Sequence, residues 1–260
     1  MKMEGSKVKL RQVLLMVIVA LYVFGCAATY NDPYEGITRA LFFNRVKTVA
    51  MEPLETYVGV EIPDSVKNVY ESMIMDSLTQ VGFKVIPPSI YQETWAALQD
   101  SGKGFFDEKT GKKDTARFNK LQRECKAIVA EEYEVDVFLR SYVQRISVKW
   151  AGGTASWHGT KQKIKSTGAQ VLEALGGVST SGKVPVMSLA VIFMEPNNNV
   201  LYSKYGGIQL LHTRGGFPED WIPLPEDEYL CDSERNAIAV GIALEEVLHF
   251  EKYNKGIMGK

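Results

Sequence analysis

The chain is poor in the residues that most readily build chemistry. Only three of its 260 residues are cysteine and three are histidine. His158, His212 and His249 are scattered, without metal-ligand spacing or a His-Glu-x-x-His run, so neither a metal nor any other cofactor is expected. There is no Gly-x-Ser-x-Gly elbow. Neither sign of charge dominates, with 30 Lys and Arg against 31 Asp and Glu, and no basic stripe marks a nucleic-acid surface. The apolar run Val13–Phe24 is shorter than the about 20 residues that cross a bilayer as a helix.

Three near-motifs fail on context. Gly177-Val178-Ser179-Thr180-Ser181-Gly182-Lys183 nearly spells a phosphate loop, but Val184 and Pro185 follow where a hydroxyl and a helix are needed. Lys109-Thr110-Gly111 has a Ser-x-x-Lys counterpart only in Ser6–Lys9, inside the leader. A triad of Cys231, His212 and Asp232 has no local support. Catalytic residues are therefore not assigned, and the chain is read as non-enzymatic.

What is present begins at the amino end. Lys2, Lys7, Lys9 and Arg11 precede the apolar run, which leads into Gly25 and Cys26. A basic start, a short apolar core and a small residue at the cut make a secretory signal over residues 1–25. Val23-Phe24-Gly25-Cys26 resembles the lipobox of bacterial lipoproteins, with Phe24 bulkier than the usual occupant. The resemblance implies diacylglycerol on the Cys26 sulfur, a second acylation (such as palmitate) at the new amino end, and a stable anchor, since one chain alone holds only marginally. Ala27 stands where an aspartate would resemble an inner-membrane retention signal, so the expected place is the outer membrane, periplasmic face. The mature chain is mildly acidic, about −4. With Cys26 lipidated, Cys125 and Cys231 allow one disulfide or remain as two buried thiols.

Residues 26–44 read as lipidated cysteine and short tether, with a turn at Asn31-Asp32-Pro33. Residues 45–253 read as one domain. Val46–Met51 is an expected strand. A helix opens at Pro63-Asp64-Ser65, runs through Val66, Val69, Met73, Ile74, Leu78 and Val81, and stops at Gly82. Phe83–Ile86 is a second strand, and Ser89 caps a helix to Leu98. A third helix spans Ala116–Glu132, with Phe118, Leu121, Cys125, Ile128 and Val129 facing inward. Val135–Val148 alternates as a strand. Val184–Met194 is apolar on both faces, hence central. Pro196–Asn199 turns it into a hairpin, Gly206-Gly207 allows a bulge, and Gly215–Pro225 is a loop. Asp232 or Ser233 caps a last helix whose stripe is Ile238, Ile242, Leu244, Val247 and Leu248. The order implies an α/β (α+β) fold: a mixed sheet with helices packed on it, a late antiparallel hairpin and a C-terminal helix.

Residues 150–183 interrupt this regularity with seven glycines among lysines. A long irregular stretch in a compact domain is usually functional. Trp150, Trp157 and His158 beside it are candidate partner-binding residues, or the two indoles pack on the sheet edge. Deleting Gly159–Ser181 is expected to spare folding and abolish partner capture.

The segments Val46–Met51, Val81–Pro87, Asp136–Arg140 and Ser188–Ile192 with Leu201-Tyr202 together resemble the TolB amino-terminal and CsgG-like lipoprotein group. That resemblance implies an envelope lipoprotein serving secretion, transport or cell-wall synthesis without a catalytic site. Thr160–Thr167 lacks the apolar lipid face of a pore hairpin. The expected function is a non-enzymatic binding or assembly accessory, held to the membrane by acyl chains, with envelope protein partners and a homo-oligomer permitted. The alternative is a lipid-anchored hydrolase of cell-wall or glycan material, with Glu219, Asp220, Glu226, Asp227 and Glu228 as its carboxylates.

Overall fold

The computed structural model describes residues 32–57, 60–100, 105–106, 110–164, 181–215 and 220–249. The leader, the lipobox with Cys26, the helical turn expected at Gln170–Leu175 and Glu219 lie outside these. The compact body begins at Pro33.

Local chemistry sets the element boundaries. Thr38 Oγ1 accepts from the Leu41 amide and caps α1 (Arg39–Arg45). β1 (Thr48–Met51) and the short β2 (Glu55–Thr56) follow. α2 (Asp64–Gln80) starts after Pro63 and ends before Gly82, whose φ of 97° suits glycine. β3 (Lys84–Ile86) leads to α3 (Pro88–Asp100). Asp114 accepts from the Arg117 amide to cap α4 (Thr115–Tyr133). The long β4 (Val137–Ala151) turns through β5 (Thr154–Trp157) and β6 (Thr160–Lys163). Then come β7 (Ser181–Met194), β8 (Val200–Leu210), β9 (His212–Gly215) and β10 (Asp220–Pro223). Asp232 caps α5 (Ser233–Ala243), and α6 (Glu245–Leu248) continues it after a break at Leu244.

The spine is the antiparallel pair β4–β7, in register from Phe138 opposite Met194 to Ala151 opposite Ser181. β1 lies parallel along β4, with β3 parallel beyond it, while β8 pairs antiparallel with the other edge of β7. The sheet is therefore mixed, β3-β1-β4-β7-β8, and the helices provide the crossovers that parallel strands require. β7 is apolar on both faces because both are covered, as its sequence implies.

On one face the largest buried cluster joins α1, α2, α5 and α6 to the sheet through Phe42, Tyr70, Leu139, Phe193 and Tyr202. Gly206 makes this closeness possible: a Cβ there would lie 2.0 Å from the Ala239 carbonyl oxygen on α5. The opposite face is covered twice. α3 and α4 cover one end around Tyr91, Leu121, Cys125 and Phe138. The β5–β6 ribbon folds back over the other end around Trp150, Trp157, Val184, Val186 and Leu210.

Several sequence expectations change. Residues 34–44 are not tether: Tyr34, Ile37, Phe42 and Phe43 are buried in the main core, and Tyr34 bridges to Tyr202. Gly215–Pro225 is not simply a loop, since Asp220–Pro223 pairs back on His212–Gly215. The last helix keeps the later part of its expected stripe, with Leu244 and Val247 buried, but differs at its start. Ala239, Val240 and Ala243 face the sheet, and Ile238 is half-exposed, because only small side chains fit against Gly206.

Candidate functional site

The site is built on the helix-covered end. Even-numbered residues of β1 and β4 point to this face, so Ala50 is followed by Glu52 and Phe138 by Arg140. Arg140 clamps Glu52 Oε2 with two donors, Nε at 3.0 Å and Nη2 at 2.9 Å. Lys126 descends from α4 and is fully buried. Its Nζ lies 2.7 Å from Glu52 Oε1, an ionic contact off the line of an aligned hydrogen bond. The same ammonium donates to Asn198 Oδ1 at 2.7 Å and approaches Met194 Sδ at 3.2 Å. It also lies 5.2 Å from the centre of the Phe138 ring.

Above this charged floor is a cavity of about 300 Å³ between α3, α4 and the segment Glu52–Glu55. Tyr91, Trp95, Phe105 and Phe118 form apolar walls, and Gln92 and Gln122 add amides. The rings brace one another: Trp95 lies parallel to Tyr91 and edge-on to Phe118, and Phe105 packs edge-on to Phe118. The Lys113 ammonium sits 3.2 Å from the Phe118 ring centre.

Electrostatics follow from burial. Burial pulls Lys126 below the ordinary lysine range, and Glu52 opposes that only in part. Burial also acts downward on Arg140, but the Glu52 charge outweighs it and the net shift is upward. Burial, reinforced by Glu52, raises the Tyr91 hydroxyl. The same two causes push the Cys125 thiol up to about 12. Cys125 is therefore a protonated thiol at neutral pH, not a nucleophile. A mostly apolar concavity with few convergent polar groups is the usual form of a binding site.

Sequence reasoning singles out none of the residues of this cleft as functional. Lys126 carries the best available signal, since it follows Cys125 on the helix face that turns inward. That face is Leu121, Cys125, Lys126 and Val129, whereas Ile128, expected to face in, is 37 % exposed.

The expected partner residues lie elsewhere. Trp150 and Trp157 are buried under the ribbon, and Trp157 Nε1 donates to the Met187 carbonyl at 3.2 Å. Neither indole is available to a partner: of the two readings, packing against the sheet is the one observed, and the partner-binding reading does not hold for them. His158 is half-buried at φ 42°, contacts Ser188 Oγ at 2.9 Å and stacks on Tyr205. Residues 150–163 are strands and tight turns, not an excursion. Thr160 Oγ1 and Gln162 Nε2 donate to the Gly207 and Ile208 carbonyls, and Ile164 is buried. Deleting Gly159–Ser181 would remove core, so it would not spare folding.

Cys125 and Cys231 do not pair. Cys125 is buried beneath α3, Cys231 is exposed before α5, and both thiols are free. No hydrogen bond joins Cys231, His212 and Asp232 among the described residues. Asp232 caps α5, and the Cys231 thiol donates to the Asp227 carbonyl. Glu226, Asp227 and Glu228 form an exposed 3₁₀ turn, and Asp220 lies on β10. Among the described residues no helix is long and apolar enough to cross a membrane, and no group of three His, Cys, Asp or Glu is placed to hold a metal ion.

No family model matches the chain, and no curated protein does. Among solved structures, two crystal forms of one assembly are similar. One is the PelC dodecamer of Paraburkholderia phytofirmans, at 14% identity and a TM-score of 0.35, covering 84% of this chain and 94% of that one. The other is a dodecamer of a singly substituted PelC from the same organism, at 13% identity and a TM-score of 0.35, covering 82% of this chain and 93% of that one.

Proposed function

We propose that this chain is a lipid-anchored envelope protein, held at the periplasmic face of the outer membrane through Cys26, that acts as a non-enzymatic binding or assembly accessory. The observation that supports binding is the aromatic cleft over the Glu52–Lys126–Arg140 cluster. Its walls offer apolar area, and its floor is an ion cluster of one carboxylate held between two cations, which suits an occupant with a polar end. A side chain of an envelope partner with an apolar body and a polar end fits those surroundings. The hydrolase reading is less favoured. Of the two carboxylates lining the cleft, Glu52 is buried and clamped by two cations, while Glu55 is exposed.

The test places a photo-reactive residue at Gln92 and, as a comparison, at the exposed Lys120. Irradiation of intact envelopes is expected to give a discrete adduct from position 92 alone, reduced at least fivefold by Trp95→Ala. An adduct indifferent to Trp95→Ala, or equal from both positions, would overturn the cleft as the binding site. Cys26→Ser tests the anchor separately, through loss of palmitate label and release from the membrane fraction.

A further inference from the structure

We propose that the far end of the β5–β6 ribbon binds a phosphate-bearing anion between Lys149, Lys161 and Lys183. This site stands at the opposite end of the β4–β7 pair from the aromatic cleft and does not depend on it.

The first observation is charge segregation. Between Asp136 and Glu195 the chain has one acid, Glu173, and seven Lys and Arg residues. The mature chain as a whole is acidic, so this excess is local. The second is register. Lys149 and Lys183 stand directly opposite each other across β4–β7. Like charges so placed repel and destabilise a strand pair unless something of opposite sign lies between them. Among the described residues none of the three lysines forms a salt bridge with an acid.

The third observation is shape. The lysines border an open depression of about 820 Å³, with the hydroxyls of Thr154, Ser156 and Ser181 on its lining and no acid there. Gly182 stands beside it and leaves room for the buried Trp150 indole on the inner side: a Cβ at that position would lie 2.9 Å from Trp150 Nε1. All three lysines are exposed and border this depression, and their backbones are held in strands, so the side chains start from a fixed frame. Three ammonium groups arranged around one concavity match a tetrahedral anion rich in acceptor oxygens. Lysine serves phosphate as a point charge and needs no bidentate alignment. A free phosphate and a phospholipid headgroup present the same group.

The experiment uses residues 33–260, which contain every member of the three buried clusters and lack the acyl chains that would hold vesicles by themselves. One arm titrates inorganic phosphate and follows lysine Nζ resonances. The other measures sedimentation with phosphatidylglycerol vesicles, with phosphatidylcholine vesicles as the neutral reference. Each arm compares the unmodified body with K149Q/K161Q/K183Q and with K84Q/K112Q/K120Q, which removes equal charge elsewhere. The expected result is saturable binding that the ribbon variant weakens at least tenfold and the control variant changes less than twofold. Binding in both arms identifies the phosphate group itself as the ligand. Binding to phosphatidylglycerol vesicles alone identifies the headgroup within a bilayer. No saturable binding in either arm, or an equal loss in the control variant, would overturn the proposal.

Discussion

The two ends of one sheet face solve the same packing problem differently. At the helix end, α3 and α4 stand on the sheet with a buried lysine beneath them, and the gap left over is a cleft. At the ribbon end, β4 continues into its own cover, and two indoles fill the space between. A cover made of separate helices leaves room for a ligand and requires buried charges to be matched across three elements: Glu52 beside β1, Lys126 on α4 and Arg140 on β4. A cover made by the next strands of the same chain closes tightly and pushes its charges outward, where Lys149, Lys161 and Lys183 are found.

The largest expected effect sharpens this contrast at the helix end. Lys126→Met should cost about 3–5 kcal/mol in denaturant unfolding, because it leaves a buried carboxylate short of one of its two cations. Adding Glu52→Leu should recover much of that loss, as buried charges replaced together often cost little. A loss under about 1 kcal/mol for Lys126→Met would mean the ion is not truly desolvated. Next, Gly206→Ala should cost about 1–3 kcal/mol, since the new methyl meets the Ala239 backbone and α5 must move away. Thermal unfolding measures this, and an unchanged midpoint would argue against the tight contact.

At the ribbon end, Trp157→Phe should cost about 1 kcal/mol through loss of the bond to Met187, with faster amide exchange confined to β5 and β6. Spread of that exchange to α3 and α4 would show that the two covers are not independent. The smallest expected effect concerns His158. Burial lowers its proton affinity, so it should titrate below the ordinary pKa of about 6.5 when followed by NMR. The unfolded chain then takes the proton first. The His158 contribution is present above pH about 6.5 and is lost as pH falls through the folded value. His158→Asn should remove that component while tolerating the positive φ.

Periodicity carries most of the architecture. The doubly apolar Val184–Met194, the asparagine turn and the caps at Asp114 and Asp232 are local signals, and local physics decides them. What the sequence hides is set by tertiary partners. Lys126 reads as a solvated helix residue until Glu52, from a segment 74 positions earlier in the chain, is brought under it. Ile128 and Ile238 read as inward because they are apolar, yet the true inner faces are selected by fit against Phe138 and Gly206. The stretch after Trp150 reads as irregular because glycine-rich turns at Gly152-Gly153 and Gly159 separate very short strands. The cleft is invisible for a similar reason, since its four rings come from three separated segments.

The strand β8 carries two register shifts, one where Phe193 meets Tyr202 and Met194 meets Val200, the other where Met187 meets Gln209 and Ser188 meets Gly207. Leu201 and Ile208 are the extra residues. Each reverses the in–out phase of everything after it, so the two cancel. Val200 and Leu210 share one parity, while the intervening stretch keeps the other and can aim Tyr202 at the carbonyl of Ala243 and Tyr205 at His158. The strand thus behaves like a sentence with a parenthesis. Removing either bracket alone would turn the remainder inside out, whereas removing both would restore the outer text and invert only the clause within.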